Sequence, residues 1–142
     1  VKLIYVDEKA KDAKNNAVII RYDDNGNVSE YQLNNHDDKG RYIGSIKYDG
    51  SGDFLARWVN DKFDNNGKYG RQIVYNADGS VYYVTDNYVY DDQGRFLSYD
   101  TFDTDGSWLC SRKMDYGNDG TCQTRFYEAT DKGRLTKIES FE

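Results

Sequence analysis

Large apolar side chains in this chain do not gather in blocks; they alternate with polar ones over short stretches, and most stretches end at Asp-x-x-Gly or a close variant. Alternation at that period marks half-buried strands, because successive side chains of a strand point to opposite faces. Tyr90-Asp91-Asp92-Gln93-Gly94-Arg95-Phe96 shows the unit complete. Its Asp can accept backbone N–H groups at the start of a type I turn. Its Gly can take the left-handed conformation that closes a three-residue hairpin loop. Asp91 then pairs with Arg95, and Tyr90 lies opposite Phe96, a cross-strand contact worth roughly 0.2 to 1 kcal/mol.

Nine turns of this kind centre on Gly26, Gly40, Gly52, Gly67, Gly79, Gly94, Gly106, Gly120 and Gly133. They predict an all-β, antiparallel, sequential meander of about ten strands. Residues 1–6 read as a first strand, residues 7–16 as a polar connector or short helical turn, and 17–22 as the next strand. The gaps between turn glycines alternate long and short, so the period is 26 to 27 residues, a two-turn unit present in about four and a half copies. Long segments carry an Asn eight residues beyond the Gly (Asn34, Asn60, Asn87), and the turns between favour a basic residue after theirs (Arg41, Lys68, Arg95).

Turns alternate between two rims, so the paired residues form two rows. One rim holds Tyr22/Val28, Tyr48/Phe54, Tyr75/Val81, Phe102/Trp108 and Ala129/Leu135; the other holds His36/Tyr42, Phe63/Tyr69, Tyr90/Phe96 and Tyr116/Cys122. Six-residue spacings such as Tyr42 to Tyr48 keep both rows on one face of a straight strand. The nine-residue spacings, Phe54 to Phe63 and Val81 to Tyr90, keep that face only with a bulge or small loop at 60–61 and 86–87. Otherwise the rings change face. The opposite face would hold Ile43, Leu55, Tyr82, Leu97 and Leu109, and burying it calls for a curled half-barrel or a loose sandwich.

Composition sharpens this picture. The 142 residues, net charge -6, suit one domain with a thin core, in which 14 Tyr, six Phe and two Trp supply most of the large apolar surface. An acidic balance argues against nucleic acid, whose affinity comes from clustered Lys and Arg. No apolar run of 18 or more residues is present, so no transmembrane segment is expected. The chain starts at Val1 rather than Met, which reads as a trimmed or mature product.

Tyr22-Asp23-x-x-Gly26, Tyr48-Asp49-x-x-Gly52 and Tyr90-Asp91-x-x-Gly94-Arg95 resemble the tyrosine-aspartate (YD) repeats of large bacterial surface and toxin-delivery proteins. The likeness covers residues 20–142, with a period longer than in typical YD arrays. The chain is also similar in look to small exported Bacteroides domains of unknown function. The resemblance implies a β-hairpin array and an exported location (periplasmic, cell surface or secreted), and it supplies no catalytic residues.

Candidate chemistry is sparse. Asp103-Thr104-Asp105-Gly106 has the look of a calcium loop, but Thr101 and Arg112 stand where its first and last ligands belong. Turn capping explains such Asp residues better. A carboxylate pair for glycoside hydrolysis could be held across strands among Asp7, Asp12, Asp53, Asp61, Asp86, Asp100 and Asp115, though chance neighbours are expected among so many acids. His36 occupies an aromatic slot opposite Tyr42, and one His with two Cys does not make a four-ligand zinc site. No catalytic residue, metal or cofactor is therefore expected. The favoured reading is a non-catalytic exported binding module, using Tyr48, Tyr69, Tyr75, Tyr90 and Trp108 to stack on a glycan or a cell-surface protein. The rival is a spacer repeat without ligand. Register places Cys110 opposite Asp100 on one side and Glu128 on the other, with Cys122 opposite Tyr116 about six residues further along, or about 20 Å at 3.3 Å per residue, so both are expected as free thiols.

Overall fold

Among the described residues eleven strands form one antiparallel sheet in which spatial order equals chain order. The computed structural model describes residues 2–4, 17–128 and 134–141, with side chains over 18–128. The strands are β1 (Lys2–Ile4), β2 (Ala17–Tyr22), β3 (Val28–His36), β4 (Tyr42–Asp49), β5 (Phe54–Asp61), β6 (Arg71–Tyr75), β7 (Val81–Tyr90), β8 (Phe96–Phe102), β9 (Trp108–Tyr116), β10 (Cys122–Glu128) and β11 (Arg134–Phe141). No helix occurs among the described residues. The all-β meander is thus as expected, with one strand more than about ten. The connector expected over 7–16 and the turn at Gly133 lie outside the described residues.

Each described turn glycine has φ between 76° and 92°, the left-handed region. In the central example Asp91 N–H donates to the Arg95 carbonyl and Gly94 N–H to the Asp91 carbonyl, both at 2.9 Å. The Asp91 carboxylate accepts the N–H groups of Gln93 and Arg95, also at 2.9 Å. Where Asn76 or Gly117 takes the first turn position, the cap moves two residues on: Asp78 accepts from Ser80, and Asp119 from Thr121.

Beyond most turns the ladder slips by one residue. Tyr48 pairs with Phe54 but Lys47 with Ala56, leaving Leu55 unmatched. Tyr82 is left out in the same way between β6 and β7, Leu109 between β8 and β9, Ile43 between β3 and β4, and Leu97 between β7 and β8. Such a bulge moves every later residue of its strand to the other face. A further slip, expected at 86–87, is found between Asp86 and Val89, where Asn87 has φ 57°. The one expected at 60–61 comes one residue later: β5 and β6 stay in register through Asp61↔Arg71, and then Lys62 takes φ 53° while the Gly70 N–H is shared by the Asp61 and Lys62 carbonyls.

The rings consequently do not share a face, as the six-residue spacing had suggested. Tyr42 lies with Ser45 and Trp58 on one side, whereas Tyr48 lies with Tyr31 and Leu33 on the other. The bulge at Ile43 separates them.

Along the middle of the first side runs a ladder of polar side chains. Arg21 donates to Gln32 (3.0 Å), Gln32 to Asn34 (2.7 Å), and Ser45 to Asn34 (2.6 Å). Ser45 shares a hydrogen bond with the Tyr42 hydroxyl, to which Trp58 Nε1 donates at 2.7 Å. Asn60 donates to the Tyr42 carbonyl (3.1 Å) and accepts from Gln72 (2.9 Å). Ser45, Asn60 and Thr85 are 1%, 3% and 5% exposed, as buried as the apolar core residues Val18, Ile20 and Val74. A thin apolar core was expected; its polar centre was not. Among the described residues each buried side-chain nitrogen or oxygen has a partner, as buried polar groups require.

Of the residues expected on a buried opposite face, Ile43 and Leu97 are half-buried, but Leu55, Tyr82 and Leu109 are 51%, 61% and 40% exposed. Each strand packs chiefly on its sequence neighbours, so among the described residues the loose sandwich does not form and no second layer covers these side chains. All five are the bulge residues themselves.

Candidate functional site

The five aromatic candidates separate by rim and by face. Tyr69 and Tyr90 lie on the ladder side at the second rim, in a cluster with Tyr88, Phe96 and Tyr99. Ring centroids are 5.0 Å apart for Tyr69 and Tyr88, 4.9 Å for Tyr88 and Tyr99, and 5.1 Å for Tyr90 and Phe96. The Tyr90 hydroxyl donates to the Tyr69 carbonyl. Burial raises the phenols of Tyr69, Tyr88 and Tyr90 well above their ordinary range. These rings are packing elements.

Tyr48, Tyr75 and Trp108 lie on the reverse side at the first rim. Tyr48 meets Phe54 edge-on at 6.4 Å and borders a groove of about 390 Å³ with Val18, Tyr31 and Leu33. Tyr75 is covered by the Arg57 guanidinium at 4.8 Å. Trp108 Nε1 donates to Ser111 Oγ at 2.9 Å, and Ser111 donates to Asp100. All five rings are half-buried. Only Tyr69 and Tyr90 are brought into direct contact.

Two of the basic residues noted after the second-rim glycines also find partners in the ring system. Arg41 lies 4.6 Å over Phe63 and Arg95 4.2 Å over Tyr116, while each pairs with the Asp of its own turn. Each bridges its turn to the ring of the next hairpin on that rim.

The carboxylates are largely engaged in local structure. Asp86 and Asp100 do face each other across β7 and β8. Asp86 binds Lys62 at 2.7 Å, however, and Asp100 takes the Asn87 amide and the Ser111 hydroxyl. Asp61 is held below the usual carboxylate range by the hydrogen-bonded guanidinium of Arg71. Among the described residues, no three His, Cys, Asp or Glu side chains converge as metal ligands would. No helix among them is long and apolar enough to cross a membrane.

What stands out is a different set. Leu55, Tyr82 and Leu109 follow one another at intervals of 27 residues and occupy equivalent bulges on β5, β7 and β9, all at the first rim. Leu55 and Tyr82 border a groove of about 350 Å³ with Ala56, Val74, Ala77 and Tyr83. The four described turns of that rim carry Asp23, Asp24, Asp49, Asp53, Asp78, Asp103 and Asp105 and no Lys or Arg. At the second rim, acids alternate with Lys39, Arg41, Lys68 and Arg95. The 27-residue spacing was visible in the sequence, but apolar identity assigned these positions to the interior.

No family model matches the chain, and no curated protein matches it.

Proposed function

We propose that the chain is a non-catalytic binding module that engages a protein partner through the exposed apolar row at its first rim. The observation that carries this reading is the exposure of Leu55, Tyr82 and Leu109 at equivalent positions 27 residues apart. Tyr22 and Val89 are similarly exposed but stand outside this row; what supports the reading is the regular recurrence of the three on alternate strands of one rim, which a partner surface of matching repeat could meet. A glycan is the weaker choice: Tyr48, Tyr69, Tyr75, Tyr90 and Trp108 are divided between two faces, and their rings are engaged by neighbouring side chains. An exported location and kinship with the YD arrays belong to the same proposal and rest on the turn spelling alone. A spacer without ligand remains the second reading, favoured by the cross-strand packing of those same rings.

The test compares the chain with Leu55→Ser/Tyr82→Ser/Leu109→Ser for retention on immobilised cell-surface proteins and on a glycan array. The expected result is retention on protein that the triple substitution abolishes, with the melting temperature unchanged. Glycan binding that survives this substitution and disappears with Tyr48→Ala would overturn it.

A further inference from the structure

The first rim also restricts what kind of partner can dock. We infer that it receives a basic amphipathic α-helix lying across the strands, an inference that rests on the apolar row being the binding surface.

Two independent features lead there. The first is spacing. Leu55, Tyr82 and Leu109 sit on every second strand, and neighbouring strands are about 4.8 Å apart, so the row repeats at about 10 Å. A helix returns to the same stripe every seven residues, or about 10.5 Å at 1.5 Å per residue. An extended strand returns to one face at about 6.8 Å or 13.6 Å and misses the row. A helix of about 15 residues spans all three positions.

The second feature is charge. The three turns that lead into β5, β7 and β9 hold Asp49, Asp53, Asp78, Asp103 and Asp105 and no basic residue. None of those five is in an ion pair among the described residues, whereas Asp37, Asp61, Asp86, Asp91 and Asp115 elsewhere are. Lys and Arg flanking the apolar stripe of a docked helix would meet that field, which both steers encounter and excludes acidic partners. Twist between strands rotates the row along its length, so the three contacts need a short helix rather than a long rigid one.

The experiment uses three fluorescein-labelled 18-residue peptides of the same helical design. One carries Leu on a heptad stripe with Lys flanking, one replaces Lys by Glu, and one replaces the Leu stripe by Ser. Anisotropy is followed as the whole chain is added at low and at physiological salt. The Leu/Lys peptide is expected to bind, and each of the others at least tenfold more weakly. Asp53→Asn/Asp78→Asn/Asp105→Asn should weaken the Leu/Lys peptide several-fold and flatten its salt dependence, with the circular dichroism spectrum unchanged. Equal binding of Leu/Lys and Leu/Glu peptides would refute the basic class while leaving the apolar row as a binding surface. Equal binding of the Leu/Lys and Ser/Lys peptides would mean charge attraction alone, and would overturn the inference. No binding by any peptide would also overturn it, without bearing on retention by the protein fraction.

Discussion

Trp58 Nε1 donates to the phenolic oxygen of Tyr42 at 2.7 Å, across sixteen residues of chain and from β5 to the start of β4. The same oxygen shares a hydrogen bond with Ser45, which is 1% exposed. A ring that the alternation marks as apolar packing thus holds one end of a buried polar ladder. The sheet has only three buried apolar side chains among its described residues, so this ladder contributes much of its specificity.

Breaking the ladder should therefore cost more than its surface position along the chain suggests. Asn60→Ala leaves the Tyr42 carbonyl and the Gln72 amide without partners at a site 3% exposed. The expected loss in a urea melt is about 2 to 6 kcal/mol, from about 1 to 3 for each unsatisfied group. Trp58→Phe, which removes one donor and keeps a ring, should lose about 1 kcal/mol.

Glycine substitutions should divide by surroundings. At Gly106, φ is 85° and a methyl group would meet nothing within 4 Å, so Gly106→Ala pays only backbone strain, about 1 kcal/mol. At Gly44, φ is 151° and a methyl group would sit 2.3 Å from the Trp58 carbonyl oxygen, on the backbone of the adjacent strand. Gly44→Ala should accordingly lower the urea midpoint much further than Gly106→Ala. Equal midpoints would contradict the strand separation at β4 and β5.

Alkali should unfold the chain through its tyrosine cluster. Burial lifts Tyr69, Tyr88 and Tyr90 above the ordinary value of 10.0. A folded-state value raised above the unfolded one gives stability that is fully present below about pH 10 and is lost as pH climbs through the folded values. Tyrosinate absorbance at 295 nm should show a late group of phenols ionising together with loss of the far-ultraviolet β signal. Smooth titration of all tyrosines near pH 10, with the β signal intact, would count against that packing.

Both cysteines should react as thiols. Cys110 pairs in register with Glu128 and Cys122 with Tyr116 as expected, while the bulge at Leu109 sets Cys110 opposite Thr101 and not Asp100 on its other side; both thiols are free. Ellman's reagent in urea without reductant should count two per chain.

Turns and strand order were legible because their determinants are local. Asp and Gly spell the loop, and antiparallel neighbours follow from short connections. Faces were not legible. Leu55, Tyr82 and Leu109 have the hydrophobicity of core residues, and nothing in the alternation says that the ladder skips them. Asn34 and Asn60 were conspicuous as recurring residues, yet their role depends on Ser45 and Gln72, partners 11 and 12 residues away. Asn87 recurs at the same place for another reason: its φ of 57° lies in the left-handed region, where Asn is better tolerated than most residues.

A sheet in which each strand packs chiefly on its sequence neighbours has almost no long-range closure to pay for, so the chain should fold quickly for an all-β protein. It should also come apart in sequence. Tension applied through the two chain ends would peel hairpins from the outermost strands inward, giving a staircase of small force steps and not one rupture, much as a zip opens tooth by tooth.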